Sequence, residues 1–423
     1  MDRRGPMRPI LIVHYHELWL KGCNRRFFIQ KLQQAMRQAL GGLDVELPRF
    51  EDHRLVVICN SDYAQMAALE RLGKIPGIAF IGVGVEARPE TSEIIATGAI
   101  LMADIPFGTF QVRCRRSRRN LPFQSSEIER ELGQRINDDA KAAGRSIKVD
   151  LRHAEATCFV EITPRHALVY ARKVVGVGGL PSGTAGKLAC LLSGGFDSAV
   201  AAYKIIKRGV RLVFVHFHGA ANQPGEDSPP VARRLVETLA QYQNGARLYL
   251  VPFSGVQRAV VAAAPDAFRI LLYRRLMLRI AERLAYKEHA RGLVTGDSIA
   301  QVASQTLHNM QAVGAVATLP LYRPLVGDDK QEILAVARRI GTYEISSEPF
   351  TDCCPLYMPK SPEIFSTIGQ LDEAEGRLDV DTLVREALAD ARRETYVYDE
   401  GRVTLKDAKG VAASPQARAR VAG

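Results

Sequence analysis

Apolar residues near the start of the chain fall into short runs separated by one longer helical pattern. RPILIVHY (8–15), DVELPRF (44–50) and HRLVVICN (53–60) have the length and β-branched content typical of strands. Between the first two, NRRFFIQKLQQAMRQAL (24–40) repeats its apolar residues at helical spacing, with Asn24 as the expected N-cap. This strand–helix–strand–strand order predicts a ferredoxin-like α+β domain at residues 1–65.

A second mixed pattern covers residues 66–173. Helical spacing recurs in TSEIIATGAILMAD (91–104) and in SSEIERELGQRINDDAKAA (125–143), where Ser126 and Glu129 match the Ser-x-x-Glu capping pattern. Short apolar strands, such as ATCFVEIT (156–163), accompany these helices. The pattern therefore predicts a second α+β domain.

Strands and helices alternate from residue 188 to about residue 400, which predicts a doubly wound parallel sheet of the α/β class. Residues 174–187 have five glycines and one proline in fourteen positions, and we interpret them as a linker. A Walker A motif ending at its Gly-Lys would need other residues where the chain has Pro181 and Leu188. Residues 401–423 are small, polar and basic, and we expect a flexible tail.

Composition narrows the class of protein. The chain has 423 residues, 47% of them hydrophobic, and its net charge of +11 suits a polyanionic partner. No uncharged apolar run approaches the roughly 18 residues that span a membrane, and His14 interrupts the N-terminal apolar run, so we expect a cytoplasmic protein. The seven cysteines include no Cys-x-x-Cys pair, so the spacing predicts neither a disulfide framework nor a metal site.

The stretch LACLLSGGFDS (188–198) carries the strongest chemical signal. An apolar strand ends in Ser193, two glycines and Asp197, just where a helical pattern begins. Glycines let backbone N–H groups approach an anion, and a helix N-terminus favours negative charge, so this pattern predicts a phosphate-binding loop. The alternative is a tight turn in which Asp197 serves only as the helix N-cap.

The complete SGGFDS matches the PP-loop signature of ATP pyrophosphatases. HELWLKGCNRRFF (16–28), LVTGDSIAQVASQT (293–306), YRPLVGDDKQEILAVARRIGT (322–342) and DCCPLYMPKSP (352–362) follow in the order found in tRNA 4-thiouridine synthases, also called tRNA sulfurtransferases. The chain resembles this family from about residue 10 to 390. The resemblance implies that residues 1–65 are a ferredoxin-like domain, residues 66–173 a THUMP domain and residues 188–400 the PP-loop domain.

The same resemblance implies ATP-dependent thiolation of uridine 8 in tRNA, through adenylation of the uridine O4 and displacement of AMP by persulfide-derived sulfur. It implies ATP and Mg²⁺ as cofactors and Asp197 and Lys330 as catalytic residues. The residues it places at the nucleotide are Leu191, Leu192, Ser193, Gly194, Gly195, Asp197, Ser198, His216, Phe217, Arg274, Gly296 and Gln305. Arg275 and Arg279, on the helix of Arg274, are expected to face the surface or the tRNA.

Two adjacent cysteines, Cys353 and Cys354, lie in a polar loop and do not resemble core packing. The family carries a sulfur-bearing cysteine in this segment, and counting forward from Lys330 without a gap places it at Cys353. Cys354 fits if one residue is inserted, so both remain candidates for the persulfide. A minority interpretation makes them ligands of an iron–sulfur cluster with a third cysteine.

The chain shows no counterpart of the rhodanese-like domain that some family members carry. We therefore expect a separate cysteine desulfurase to supply the sulfur, and we expect no role in thiamine synthesis.

Basic residues cluster in VRCRRSRRN (112–120), with no acid between them in the sequence. They resemble the basic edge of a THUMP domain, and a solvated loop is the alternative. The residues expected to bind tRNA are Lys21, Arg25, Arg26, Arg113, Arg115, Arg116, Arg118 and Arg119. The family resemblance also implies a homodimer. The other functions to weigh are a different PP-loop tRNA-modifying enzyme and a non-catalytic tRNA-binding protein.

Overall fold

The computed structural model describes residues 8–15, 17–118, 121–219, 228–349 and 361–410. Contacts divide the chain into two compact units, Met1–Pro181 and Ser182–Gly423. The division falls inside the segment interpreted as a linker. No helix in the described ranges is long and apolar enough to cross a membrane.

The first unit has one mixed sheet with its helices α1 to α4. The strands are β1 (Arg8–His14), β2 (Arg49–Glu51), β3 (Arg54–Ile58), β4 (Phe80–Ala87), β5 (Thr109–Arg116), β6 (Lys148–Val149), β7 (Ala156–Ile162) and β8 (Ala167–Val175). Over the described residues their order is β2-β3-β1-β4-β8-β7-β5-β6, and β5 pairs in parallel with β6 and β7. The helices are α1 (Arg25–Leu40), α2 (Asp62–Leu72), α3 (Thr91–Ala103) and α4 (Ser125–Ala142).

The expected domain boundary after residue 65 would cut α2. Gln65, on that helix, donates from Nε2 to the carbonyl oxygens of Ile10 at 2.9 Å and Gly84 at 3.1 Å. β1 pairs with both β3 and β4, so one sheet continues across residue 65. The composition of the sequence does not change at a point that would mark a boundary. The sequence boundary is therefore misplaced.

One of the two predicted helix caps is wrong. Asn24 occupies the N-cap position of α1, as predicted, although its side chain makes no capping hydrogen bond. α4 instead starts at Ser125, after an uncapped Gln124, so Ser126 is not its N-cap. The Glu129 carboxylate instead accepts a 2.8 Å hydrogen bond from the backbone N–H of Cys114. The short β6 pairs only with the start of β5, so Glu129 satisfies a backbone donor that the sheet leaves open further along that strand.

The second unit has a seven-stranded sheet over the described residues. Its strands are β9 (Lys187–Leu191), β10 (Arg211–His218), β11 (Ala246–Pro252), β12 (Leu293–Val294), β13 (Leu321–Tyr322), β14 (Arg392–Asp399) and β15 (Arg402–Gly410). The helices are α5 (Phe196–Ile206), α6 (Ser228–Ala240), α7 (Ser254–Ala263), α8 (Arg269–Lys287), α9 (Leu307–Gly314), α10 (Lys330–Ile340), α11 (Tyr343–Ser347), α12 (Ile368–Glu375) and α13 (Val380–Ala389).

Strand order places the functional edge of this sheet. The order is β13-β12-β9-β10-β11-β14-β15, and β9 to β13 pair in parallel, as the alternating pattern predicted. The chain moves outward from β9 through β10 to β11, then returns to add β12 on the other side of β9. The carboxyl ends of β9 and β12 therefore form a topological switch point, where ligands bind in open α/β sheets.

The expected flexible tail is wrong for residues 402–410. These residues form β15, which pairs antiparallel with β14, and β14 pairs antiparallel with β11. Most of the β15 side chains are exposed, because β15 lies at the edge of the sheet. An edge strand with exposed polar side chains has a composition similar to that of a flexible tail, so composition alone did not distinguish the two. Residues from 411 onward lie outside the described part of the chain.

Arg275 also departs from expectation. Its side chain is 2% exposed and pairs with Asp372 at 2.5 Å and with Glu375 at 3.3 Å. The neighbouring Arg279 donates to both Glu375 carboxylate oxygens, at 3.2 and 3.0 Å. Both arginines thus tie α8 to α12, and Arg275 faces neither the surface nor a ligand.

Gly84 tests the packing of the first sheet. A Cβ at this position would lie 2.0 Å from the Val169 carbonyl oxygen and 2.6 Å from Tyr170 Cβ, where the register of β4 and β8 shifts. We expect Gly84→Ala to destabilise the first unit by about 3 kcal/mol, because backbone must move. Fluorescence of Trp19, the only tryptophan in the sequence, during thermal unfolding measures this.

Gly133→Ala is the matched control, since a Cβ there meets nothing within 4 Å in the middle of α4. It should leave stability unchanged or raise it by up to about 1 kcal/mol. Equal stability of the two variants would contradict the close contact at Gly84.

Candidate active site

The turn after β9 is held by the neighbouring strand β10. Leu192 N donates to Val215 O at 2.9 Å, and the Leu192 carbonyl oxygen lies 2.8 Å from His216 Nδ1. A carbonyl can only accept, so Nδ1 carries the proton. His216 is fully buried, and burial lowers its pKa to about 4. Leu191 and Leu192 lead into the turn. Their backbone is therefore held by a neutral histidine, whose ring is fixed by its hydrogen bond to the Leu192 carbonyl.

Hydrogen bonds between its own residues close the turn. Ser193 N donates to Ser198 Oγ at 3.1 Å, and the Ser198 hydroxyl lies 3.1 Å from Ser193 O and 3.2 Å from Gly195 O. Gly195 N lies 3.2 Å from Ser193 Oγ. Ser198 is 5% exposed, so its hydroxyl lies inside the turn and stabilises the conformation of the turn.

Asp197 is not the N-cap of α5. The cap position is Gly195, which makes no side-chain hydrogen bond, and Asp197 is the second residue of the helix. Its carboxylate instead accepts from Lys330 Nζ at 2.9 Å on Oδ1 and from Gln301 Nε2 at 2.8 Å on Oδ2. This geometry excludes the capping alternative and unites two residues that are 133 positions apart.

The acidic pair before Lys330 sets its position. Asp329 caps α10 through a complete capping box with Glu332, which makes Lys330 the first residue of that helix. Asp328 is ion-paired with Lys204 of α5. Lys330 Nζ also lies 5.5 Å from the centre of the Phe196 ring. The two aspartates are thus engaged in the scaffold, and Lys330 is directed at Asp197.

Gly296 joins the second loop of the site to the first. A Cβ at Gly296 would lie 2.7 Å from Ser198 N and 2.8 Å from the backbone carbon of Asp197. Only glycine allows the loop after β12 to approach the first turn of α5 this closely. The resemblance placed Gly296 at the nucleotide, and the structure gives it a packing role beside the phosphate-binding turn.

Asp297 organises the residues around Gly296. This carboxylate is 4% exposed and is ion-paired with Arg274, while Arg323 Nε lies 3.2 Å from its Oδ2. Thr295 Oγ1 donates to Oδ2 at 2.8 Å, and Gln305 Nε2 lies 3.5 Å from Oδ1. Burial works to raise the pKa of Asp297, but the arginine charges and these hydrogen bonds lower it below the ordinary value.

The site therefore has two groups of predicted residues in contact. Asp197 and Lys330 form one group, and Arg274 and Gln305 meet at Asp297 in the other. The sequence interpretation noted Gln301 only for its spacing four residues before Gln305, and it did not assign a role to Asp297 or Arg323. The available signal was a carboxylate after a glycine at a strand end in Thr295-Gly296-Asp297, but its partners are distant in the chain.

Two residues near the site lie within the hydrophobic core. Phe217 is 5% exposed and packs edge-to-face on Phe253, with ring centres 5.3 Å apart. Cys190 is fully buried in β9, and burial raises its pKa to about 12, so it remains a thiol. A role for Phe217 at the adenine stays a prediction.

The predicted RNA-binding residues belong to the first unit. Arg113 and Arg115 are exposed on β5, whereas Arg116 donates to Phe123 O at 2.6 Å. Arg118 lies 3.5 Å from Asp52, so an acid from outside the segment accompanies the arginine cluster. The acid comes from the turn between β2 and β3, which the local sequence cannot show.

The other expected contacts are at the N-terminal end of this unit or outside the described residues. Lys21 Nζ lies 5.2 Å from the Phe28 ring centre, and Arg25 and Arg26 begin α1. The remaining candidates, Arg119, Cys353 and Cys354, lie outside the described residues.

His216 gives the site a pH dependence with a defined sign. Its folded pKa of about 4 is below the ordinary 6.5, so the unfolded chain binds more protons between these values. Stability from this group is complete above pH 6.5 and falls as the pH drops toward 4. Between pH 7 and 4.5 we expect a loss of about 2–3 kcal/mol in wild type that is absent in His216→Asn.

Urea unfolding of both proteins, followed by circular dichroism at the two pH values, measures this difference. The same pH-dependent loss in both proteins would show that His216 is not the group responsible.

Comparison with known proteins identifies the family to which the chain belongs. Three family profiles match: "ThiI ferredoxin-like domain" at residues 10–81, "THUMP domain" at 96–172 and "Thiamine biosynthesis protein (ThiI)" at 183–380. A probable tRNA sulfurtransferase of Thermus thermophilus is 41% identical over 93% of this chain and 95% of its own length. One from Moorella thermoacetica is 39% identical over 89% and 95%, respectively.

A solved structure is similar over nearly the whole chain. It is a 4-thiouridine synthetase in complex with RNA and with bound ATP, 32% identical, with a TM-score of 0.81 over 92% of this chain and 99% of that one. The ferredoxin-like, THUMP and PP-loop fold predicted from the sequence is confirmed. With relatives this similar over almost its full length, the chain belongs to the tRNA sulfurtransferase family.

Proposed function

We propose that this chain catalyses the ATP-dependent thiolation of uridine 8 in tRNA to 4-thiouridine. The observation that carries the proposal is the contact between Asp197 and Lys330 at the switch point of the second sheet, on the SGGFDS turn. A PP-loop needs a cation near the phosphates and a carboxylate beside it, and this pair supplies both. The solved relative with bound RNA and ATP supports the same substrates.

The residues present fit ATP. Gly195 has φ −81°, which any residue adopts, and a Cβ there would meet only Ser193 Oγ, at 3.5 Å. The protein fold therefore does not require glycine at this position, and a side chain would instead fill the space in front of the turn. Gln305 Oε1 is buried without a hydrogen-bond partner among the described residues. It offers an acceptor to a ligand donor such as an adenine amino group.

Each chemical step has a residue suited to it. The uridine O4 attacks the α-phosphate, pyrophosphate leaves, and the Lys330 ammonium stabilises the charge that builds on the phosphate. The N-terminus of α5 supports the same charge with its backbone N–H groups. The terminal persulfide sulfur then attacks C4 of the base, and AMP leaves with the former O4. The base is then joined to the carrier cysteine by a disulfide, which a dithiol reductant supplied in solution cleaves, releasing 4-thiouridine and the free cysteine thiol as the reductant is oxidised to its disulfide.

Mg²⁺ would be held by Asp197, a carboxylate next to the phosphate-binding turn, and would supply charge neutralisation at the phosphates. One Asp197 oxygen would then exchange its present partner, Lys330 or Gln301, for the ion. Where the exchanged partner is Lys330, its ammonium would be released toward the nucleotide.

Cys353 is the proposed sulfur carrier, with Cys354 as the alternative. Both precede the described segment that starts at residue 361. A cysteine desulfurase is the proposed donor. Cys190, in the strand before the turn, is fully buried as a thiol, which does not favour it as a third ligand of an iron–sulfur cluster.

RNA binding is assigned to the basic residues of the first unit. Arg113 and Arg115 project from adjacent outward positions of β5 and are exposed, which suits contact with phosphates. Arg116 and Arg118 are tied to the loop and to Asp52, so they shape this edge as well as adding charge. A homodimer that shares tRNA stays a prediction.

One of the two alternative functions is less consistent with the site. A non-catalytic RNA-binding protein has no need for a lysine held at the carboxylate of a phosphate-binding turn. A different PP-loop enzyme, such as a 2-thiolating one, would share this pair, and only the position of sulfur in the product separates it from the proposed activity.

Two glycine variants separate folding from nucleotide binding. Gly195→Ala should leave the thermal midpoint within about 1 °C of wild type and weaken ATP binding at least 10-fold, because the new methyl fills ligand space. Gly296→Ala should lower both the thermal midpoint and the affinity for ATP, because its Cβ collides with backbone atoms. Differential scanning calorimetry and ATP titration measure the two properties. Unchanged ATP affinity in Gly195→Ala would contradict the proposed phosphate position.

In vitro thiolation of an unmodified tRNA transcript tests the activity. With ATP, Mg²⁺ and a cysteine desulfurase with cysteine, wild type should form 4-thiouridine at position 8, located by mass spectrometry. Lys330→Ala should be at least about 100-fold slower, and Lys406→Ala, on the distant β15, should equal wild type. Cys353→Ala should abolish transfer, while Cys354→Ala retains it. Sulfur at another atom, or an unaffected Lys330→Ala, would refute the assignment.

A further inference from the structure

Two segments of the second unit expose large apolar side chains and are bonded to each other. One is residues 299–308, after Asp297, and the other is residues 363–368. Their exposed apolar residues are Ile299, Val302, Leu307, Ile364, Phe365 and Ile368. Phe365 is 63% exposed, although its ring packs edge-to-face on His308 with centres 5.4 Å apart. An aromatic ring so exposed indicates a binding surface when its backbone is fixed.

The backbone around Phe365 is fixed on both sides. Thr306 Oγ1 donates to Ile364 O at 2.7 Å, and the Glu363 carboxylate accepts from the N–H groups of Ile364 at 2.9 Å and Phe365 at 2.8 Å. Fully buried Asn309 donates to Glu363 O at 2.8 Å and accepts from Ser366 N at 3.0 Å. The ring is therefore presented by a preorganised segment, which reduces the entropy lost on binding.

This surface continues into the candidate active site. Gln301, whose amide contacts Asp197 at 2.8 Å, lies five residues before Thr306. Consecutive Cα atoms are 3.8 Å apart, so Gln301 and Thr306 are separated by at most about 19 Å. The intervening turn is compact, since Ala300 N bonds to Gln305 O and Gln305 N to Val302 O. A polymer strand bound at Lys330 could therefore reach this surface with its neighbouring nucleotides.

We propose that Phe365, with His308 at its edge, is a stacking platform for an unpaired base of the RNA strand that carries the reacting uridine. This inference rests on the proposed function. Enzymes that modify a base must first take it out of its stack, and aromatic side chains replace the lost stacking. A single exposed ring with an apolar surround matches one base, whereas a standard protein interface uses about 20–30 residues a side.

Thiolation kinetics with the full-length protein test the platform. Phe365→Ala should lower the rate with an unmodified tRNA transcript by about 10- to 100-fold, because one base–aromatic stack is lost. Phe365→Trp should restore the rate to within about threefold of wild type. The ATP dissociation constant should not change in either variant. Tyr286→Ala is the matched control: Tyr286 is a 51% exposed aromatic near the C-terminal end of α8, bonded to Thr318.

Three experimental outcomes would overturn the proposal. The first is a wild-type rate in Phe365→Ala. The second is a defect that disappears when sodium sulfide replaces the cysteine desulfurase, which would identify the surface as a docking site for the protein donor. The third is a change of sedimentation coefficient in Phe365→Ala, which would identify it as an interface between two copies of the chain.

Cross-linking separates failure of this inference from failure of the proposed function. A tRNA carrying 5-iodouracil at position 8, or at a flanking uridine, is irradiated with the protein without ATP. We expect a cross-link in the peptide containing Phe365 or His308, and this result needs no catalysis. Cross-links confined to other peptides would reject the platform even if thiolation of position 8 is observed.

Discussion

The close approach of Gly296 to the first turn of α5 is the constraint on which the site depends. The loop after β12 reaches the backbone of Asp197 and Ser198 because residue 296 has no Cβ. This contact places the buried Asp297 network directly behind the phosphate-binding turn, and places Gln301 where its amide meets Asp197. Two loops that belong to different strands thus act as one wall of the candidate site.

The two aspartates of this wall have different electrostatic roles. Asp297 is buried among two arginines and a threonine, so its charge is neutralised inside the protein and orients Arg274. Asp197 is partly exposed and holds a lysine and an amide at the surface of the turn. The site thus combines a buried carboxylate behind the turn with a partly exposed one at its surface.

The sequence predicted the parts of this structure that depend on local patterns. Alternating strands and helices were enough to predict the parallel sheet, and SGGFDS was enough to locate the turn, because both are read from neighbouring residues. The role of Glu129 was missed because its partner, Cys114 N, lies on another element. Arg275 looked like a surface residue because its acidic partners lie 97 and 100 positions away. For Phe365, the local sequence gave no indication that Thr306 and Asn309 would hold it open to solvent.

The hairpin of β14 and β15 has a consequence for strand pairing between the sheets of two molecules. β15 is the last strand of the sheet in the described chain, and an edge of unpaired N–H and C=O groups attracts strands of other molecules. Exposed Arg402, Lys406 and Lys409 place positive charge along this edge. The edge strand of a second copy would carry the same positive charges. Repulsion between these charges would oppose pairing of the two edge strands, which hydrogen bonding alone would favour.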